Sequence, residues 1–161
     1  MDRHALSPIS ICTTKAGLAA GTTTTLTAAN ASIYSIRGVA YSKAAASNAA
    51  TPTTDAATGA AFTPVAVGNV GVFLVGFSAA GNLSVLQGGQ TALSVSGNVV
   101  TAPQFPSAMP DDFCAVGYIV TRVTSSGTAW TFGTSNLAGP PTGVVHTFGD
   151  LMTVPGRPVI A

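Results

Sequence analysis

Side chains reactive enough for catalysis or metal binding are few in this sequence. The two histidines are His4 and His146, and the two cysteines are Cys12 and Cys114. No Cys-x-x-Cys, His-Glu-x-x-His or EF-hand spacing is present, so we expect no metal site. His146 is flanked by apolar residues in a predicted strand and is interpreted as a structural histidine. Two cysteines are too few for a disulfide scaffold, and we interpret both as buried thiols packing as small hydrophobic groups.

Residues for acid–base or nucleophilic chemistry are equally scarce. All five acidic residues are aspartates, and only Asp111 and Asp112 are adjacent. Because they follow Pro110, we expect a turn with exposed carboxylates, with an ion pair between subunits as the alternative. No Gly-x-Ser-x-Gly turn could present a nucleophilic serine, and residues 68–71 lack the spacing of a phosphate-binding loop. We therefore predict no catalytic residues, no cofactor and no enzyme activity.

The charge of the chain is low for its length. Its 161 residues carry six Lys or Arg and five Asp, which gives a net charge of +1. Nucleic-acid binding needs basic patches, and no basic cluster for a membrane surface is present, so we expect neither partner. No apolar signal core follows Met1, which favours synthesis in the cytoplasm. With little charge repulsion to oppose self-association, the composition indicates a protein of an assembly or an exterior surface.

The composition also favours pleated sheet over helix. Val outnumbers Leu, Glu is absent, and 18 Gly and 10 Pro punctuate the chain. We predict an all-β fold, a single antiparallel β-sandwich or barrel-like domain with extended N- and C-terminal arms. The predicted boundaries are an N-terminal arm at 1–30, a β domain at 31–150 and a C-terminal arm at 151–161. Residues 43–61 are expected to be a long Ala/Thr-rich loop within the domain.

Apolar runs and turn residues locate the individual strands. The main predicted strands are 33–41, 72–77, 83–87, 113–123, 128–132 and 144–148. Shorter strands are predicted near 9–13 and 22–27, and 92–95 and 99–101 flank a tight turn at 96–98. Residues 72–77 are apolar on both faces and should be buried on both, in a hairpin with 83–87 that Gly88-Gly89 ends. Strict alternation would put Val116, Tyr118 and Val120 on one face of 113–123, with 128–132 paired to that strand.

Strand 33–41 is predicted as one continuous strand with a bulge at Gly38. Alternation then places Tyr34 and Ile36 on one face and Ile33, Val39 and Tyr41 on the other.

From about residue 33 to the C-terminus, the order of segments is similar to a family. The segments that carry the similarity are GVAYSK (38–43), TPTTDAATG (51–59), VFLVGF (72–77), AGNL (80–83), QG (87–88), PQFPSAMP (103–110), VGYIV (116–120), FGTSNL (132–137), TF (147–148) and PGRP (155–158). In this order they resemble a group of small virion structural proteins of tailed bacteriophages, of the capsid decoration, or cement, type. The resemblance covers roughly three-quarters of the chain and leaves out its first 30 residues.

The resemblance implies a non-enzymatic virion component on the outer capsid surface. Such a protein would bridge neighbouring subunits of the major capsid protein and associate with itself, with a homotrimer expected. The alternative is a tail, fibre or head-fibre component contacting the host surface, with Trp130 or Tyr118 as a glycan platform. A small β-sandwich enzyme or lectin-like module outside any virion is a further alternative.

The irregular termini are the predicted contacts with the capsid. The C-terminal residues combine apolar side chains with prolines that prevent a helix, which suits an arm lying on a neighbouring subunit. Residues 1–22 show no clean period and are predicted to be extended. The expected contact residues are Leu6, Ile9, Ile11, Val154, Pro155, Arg157, Pro158 and Ile160.

Overall fold

The fold consists of strands joined by turns and irregular segments. The computed structural model describes residues 10–152, and residues 1–9 and 153–161 lie outside that description. Its ten strands are β1 (Ile11–Cys12), β2 (Leu18–Ala20), β3 (Leu26–Ala28), β4 (Ser32–Ile36), β5 (Val39–Lys43), β6 (Ala46–Ala49), β7 (Asn69–Phe77), β8 (Leu83–Ala92), β9 (Cys114–Val123) and β10 (Val144–Asp150). Residues 10–152 contain no helix, and the predicted all-β class is confirmed.

The strands form three antiparallel sheets. The largest has the order β10-β9-β7-β8, and the smaller two have the orders β1-β4-β5 and β2-β3-β6. The sheets pack together in an arrangement consistent with the predicted β-sandwich. The hairpin of β7 and β8 is confirmed, with Phe77 opposite Leu83 at its turn.

The four-stranded sheet is covered on both faces. We call the side that packs against the two small sheets the inner face; Phe73, Val75 and Phe77 point to it. The other side, the outer face, receives Val72 and Leu74 and is covered by apolar side chains of residues 93–113. Every residue of β7 after Asn69 is buried, as the apolar run predicted for residues 72–77.

A β-bulge in β9 changes which residues share a face. Val75 lies opposite Gly117, but Gly76 lies opposite Ala115, so Val116 is the additional residue. One extra residue reverses a period of two, since each following side chain points to the opposite side. Val116 therefore packs on the inner face, whereas Tyr118 packs on the outer face. The predicted shared face of Val116 and Tyr118 was wrong for this reason.

The predicted single strand at 33–41 is a hairpin. Ile36 pairs with Val39, and the two turn residues Arg37 and Gly38 have φ values of 50° and 80°. Positive φ at both positions gives a turn whose twist matches the flanking strands. The reversal brings Tyr34 opposite Tyr41, with ring centroids 5.8 Å apart. The predicted separation of these two tyrosines onto opposite faces was therefore wrong.

Two further strand predictions differ from the structure. Gly88-Gly89 does not end β8, which continues to Ala92. Residues 128–132 do not pair with β9; Trp130 instead forms an isolated bridge with Val65, and β10 takes the place beside β9. In both cases long-range packing decided the pairing, which local periodicity does not encode.

Residues 10–30, predicted as part of an arm, contribute strands to the small sheets within the described part of the chain. Strand β1 pairs with β4, and β2 and β3 join β6. Their side chains include the buried Cys12, Leu18 and Leu26. The predicted loop at 43–61 likewise contains β6 and a tight turn after Asp55, whose N–H donates to the C=O of Ala60 at 2.8 Å.

Candidate functional site

The reactive side chains predicted to be structural are placed inside the fold. The Nδ1 of His146 lies 3.0 Å from the Oγ1 of Thr121, and its ring lies 4.6 Å from that of Trp130. Burial lowers the pKa of His146 to about 4, so the ring is neutral at pH 7. Its Nε2 is buried and has no hydrogen-bond partner among residues 10–152. These contacts leave His146 half-buried beside the inner core, packed against Trp130.

Both cysteines are free and buried in the inner core. Burial, with a smaller effect of nearby Cys12, raises the pKa of Cys114 to about 12. Since the thiolate is the reactive form, Cys114 is held in its unreactive state. Within the part of the chain that the structure describes, no three His, Cys, Asp or Glu side chains come together to hold a metal ion.

The acidic doublet lies at a turn with exposed carboxylates, as predicted. Asp111 forms an ion pair with Arg37, which sits in the β4–β5 turn of the same chain. The Oδ1 of Asp112 accepts a hydrogen bond from the N–H of Ala79 at 2.7 Å. The doublet thus connects two turns of one chain. At such exposed positions the ion pair contributes little stability.

The aromatic residues considered as a glycan platform are not on the surface. Trp130 is fully buried, and its Nε1 donates to the C=O of Asn136 at 2.9 Å. Tyr118 is buried on the outer face, where its ring packs edge-on against Phe105. Neither ring offers a free face for stacking on a sugar.

Among the expected capsid contacts, only Ile11 falls within the described residues. It is 37% exposed and lies opposite Ser35 on the solvent side of the β1-β4-β5 sheet. Leu6, Ile9, Val154, Pro155, Arg157, Pro158 and Ile160 lie outside the described residues.

Ile11 belongs to a wider uncharged patch, which we call the isoleucine face. Its members share the solvent side of the β1-β4-β5 sheet; they are Ile11, Ile33, Ser35, Ala40 and Ser42. Ile33 is 52% exposed and pairs with Ser42. The charged groups nearest in sequence, Arg37 and Lys43, stand at the ends of β4 and β5. This face can meet another protein without removing water from a charge.

Ser10, the first described residue, lies beside the isoleucine face. The Oγ of Ser10 accepts a hydrogen bond from the N–H of Arg37 at 3.3 Å, and the chain enters β1 at the next residue. Ser10 therefore lies at the edge of this face. Ile33 was not predicted to lie beside Ile11, because residues 33–41 were predicted to form one strand.

No family model, no curated protein and no solved structure matches this chain. What its surfaces do must follow from their own residues. No helix in residues 10–152 has the length and apolarity to cross a bilayer.

A different surface feature lies at the β8 edge of the four-stranded sheet, where side chains replace a neighbouring strand. The buried carboxylate of Asp55 accepts hydrogen bonds from the N–H groups of Ala57 (2.7 Å), Thr58 (3.1 Å) and Gln87 (2.6 Å). The C=O of Val85 accepts from the N–H of Ala56 at 2.9 Å. Asp55 thus fastens residues 54–61 along β8.

Two glutamines extend this cover along the same strand. The side-chain amide of Gln87 accepts from the N–H of Thr63 at 2.8 Å and donates to its C=O at 2.7 Å. Gln90 accepts from the N–H of Ala66 and donates to the C=O of Pro64. Each amide acts as a peptide group would in a ladder. The polar side chains along the β8 edge are therefore largely hydrogen-bonded within the chain.

A cavity of about 210 Å³ lies between the β2-β3-β6 sheet and the β7–β8 turn. Its walls are mostly apolar and include Leu18, Leu26, Phe77 and Leu83. Lys43 also lines it and has no ion-pair partner in residues 10–152. Nothing in the structure specifies a ligand for this cavity.

Proposed function

We propose that this chain is a non-enzymatic virion structural protein that decorates a bacteriophage capsid. It would stabilise the outer capsid surface by bridging neighbouring subunits of the major capsid protein. In this proposal it acts as a homo-oligomer, with the homotrimer that the sequence resemblance implies, after synthesis in the host cytoplasm. No nucleic acid, membrane or cofactor takes part.

The observation that carries the proposal is the isoleucine face and its connection to the N-terminal segment. Ile11 and Ile33 are exposed on a sheet face without charged residues, and the chain enters that face at Ser10. An uncharged apolar surface binds a protein partner at little desolvation cost. The expected contacts Leu6 and Ile9 precede this face in the sequence, so arm and face would form one continuous contact.

The mechanism is the addition of many weak contacts. Each copy would contribute a small binding free energy to the shell, and binding to the intact lattice favours that state by mass action. The four-stranded sheet, which is covered on both faces, suits this task because it can hold two attachment points together without its strands separating. The resemblance of the segment order to capsid decoration proteins supports the same conclusion.

The test uses purified capsids that lack this chain, to which the full-length protein is added. We compare wild type with I33D on the isoleucine face and with V100D, a matched control on the exposed 93–101 turn, where Val100 is 74% exposed. I33D should weaken binding by about tenfold or more, because an unpaired carboxylate at an apolar contact costs more than ~1.4 kcal/mol. V100D should bind as wild type does.

Bound copies are counted relative to the major capsid protein by quantitative mass spectrometry. A simple lattice fraction, with hundreds of copies per particle, supports decoration of the whole shell. A few to a few dozen copies would replace the proposal with a vertex, tail or fibre position. Equal binding by I33D and wild type would remove the isoleucine face from the contact, and absence from particles would overturn the virion role itself.

A further inference from the structure

The β10 strand leaves one edge of the four-stranded sheet open within the described residues. It is the terminal strand on the side opposite β8. Hydrogen bonds just beyond its two ends fix the phase of its ladder with β9: Thr124 N–H donates to Gly143 C=O at 2.8 Å, and Leu151 N–H donates to Val116 C=O at 2.9 Å. The pairs Val144–Val123 and Asp150–Gly117 are therefore of the non-hydrogen-bonded kind.

This phase determines which backbone groups face away from β9. In an antiparallel strand the direction alternates, so the N–H and C=O groups of residues 144, 146, 148 and 150 point outward. The N–H of Val144 donates to the C=O of Pro141 at 3.0 Å. Within residues 10–152 no hydrogen bond reaches the backbone of His146 or Phe148. These two residues present four unpaired backbone groups in a row.

The sequence of β10 contains none of the devices that protect such an edge. It reads VVHTFGD, without proline or lysine, and its one charge, Asp150, is at the end. The Oδ1 of Asp150 accepts a hydrogen bond from the N–H of Leu18 at 3.1 Å. Proteins usually cover or charge a free edge, because it is a template for a further strand. Val145 on the outer face is 45% exposed.

We propose that β10 of a second copy of this chain pairs with this edge, antiparallel, across a two-fold axis at Thr147. In that register His146 of each copy lies opposite Phe148 of the other, and the outward groups of both form reciprocal hydrogen bonds. The result is a continuous eight-stranded sheet. The contact is isologous, so one strand supplies both halves of it.

Side-chain shape favours this register. On the outer face, Thr147 meets Thr147 of the second copy, and Val145 meets Gly149, the one position of β10 without a side chain. The Tyr118 ring already covers Gly149, so Val145 would pack against that ring. The single aspartate lies opposite Val144, and no like charges meet. If the proposed homotrimer forms, this two-fold contact would join trimers in pairs and give a hexamer, which is again an even multiple of the chain mass.

Disulfide cross-linking of the isolated full-length protein tests the register. In a non-hydrogen-bonded pair the two Cα atoms are about 4.5 Å apart, within reach of a disulfide, so T147C should form a cross-linked dimer under mild oxidation. V145C is the matched control on the same face of the same strand. Its two thiols would be four residues out of register, roughly 13 Å along the strand, too far to bridge.

We expect at least about tenfold more disulfide-linked dimer on a non-reducing gel from T147C than from V145C, as the reach of a disulfide requires. Wild type should give none, since both native cysteines are buried. Equal cross-linking of the two variants, or none in T147C, overturns the proposed pairing.

A variant that adds a charge at the axis tests the same contact without a disulfide. T147K would bring two ammonium groups together at the axis, whereas V145K would place each opposite a glycine. By light scattering, the native mass of wild type should be an even multiple of the chain mass, halved by T147K and kept by V145K. A single-chain or odd-numbered wild-type mass, or a T147K mass unchanged while its circular dichroism matches wild type, overturns the proposal. These outcomes are independent of capsid binding.

Discussion

The two edges of the four-stranded sheet are finished in opposite ways. Along β8, the C=O of Val85 and the N–H groups of Gln87 and Gly89 are all hydrogen-bonded to segments that cross the edge. Along β10, the outward backbone of His146 and Phe148 has no partner among residues 10–152. Both strands belong to one sheet, yet one edge is closed by the chain itself and the other is left for something else.

The comparison shows how a charge-poor chain closes a sheet edge. The β8 edge uses one buried carboxylate, two glutamine amides and a crossing segment in place of a further strand. Each of these groups replaces water on a backbone group that would otherwise be unsatisfied. Among residues 10–152 the β10 edge lacks all of them, so its strand is held by its ladder with β9 and by its inward side chains. This difference makes the two edges respond differently to substitution.

Removing Asp55 should damage the closed edge most. D55A leaves three N–H groups without their acceptor, including that of Gln87 in β8. We expect a loss of about 3 kcal/mol in the free energy of unfolding, measured by urea titration. D55N should lose less, because its remaining oxygen still accepts from Ala57 and Thr58. D112A, which removes a single exposed acceptor, should lose under about 1 kcal/mol; a loss as large as that of D55A would contradict the comparison.

Alanine substitutions at the adjacent glycines Gly88 and Gly89 compare a position where a side chain would clash with one where it would not. A Cβ on Gly88 would collide with the C=O of Gln104 and lie 2.6 Å from Val72, whereas a Cβ on Gly89 would make ordinary contacts at 3.5 Å and beyond. G88A should therefore destabilise by about 2 kcal/mol. G89A should be within about 0.5 kcal/mol of wild type. Equal thermal midpoints for the two variants would show that Gln104 does not press on this edge.

Acid should loosen the open edge through His146. Its pKa is about 4 in the folded protein and 6.5 in the unfolded chain, so the unfolded state binds more protons between these values. The stability present above pH 6.5 is lost as the pH falls toward 4. Allowing for the partial exposure of the ring, we expect a loss of about 1 kcal/mol. H146Q, compared by urea titration at pH 7 and pH 4.5, should lack this part of the pH dependence; an unchanged dependence would refute it.

The sequence predicted the strands of the main sheet well and their connections poorly. Residues 72–77 and 83–87 were located because continuous or alternating apolar residues leave a local signal. The bulge at Val116 has no such signal, since a single extra residue looks like uninterrupted alternation. The hairpin at Arg37-Gly38 was detectable in part, because a glycine with apolar alternation on both sides is also typical of a two-residue turn.

Residues of the candidate surfaces could be predicted only where the neighbouring sequence carries the signal. Ile11 was identified from its apolar character. Ile33 lies on the same sheet face but in a neighbouring strand, so its position could be predicted only once the β4–β5 hairpin was known. Asp55 was not singled out, although Asp-x-x-x-Gly after a proline-containing segment is a usable turn signal. Its role at the β8 edge depends on residues about 30 positions away, which no local pattern contains.

The ladder phase of β10 also sets how fast its amide protons leave. The N–H groups of residues 145, 147 and 149 face β9, so deuterium should replace their protons slowly. Those of His146 and Phe148 face outward and should exchange early, which gives one strand a period-two exchange profile. At concentrations where two copies pair, that alternation should disappear. The exchange profile of five consecutive amides would thus report, without any label or variant, whether the edge is occupied.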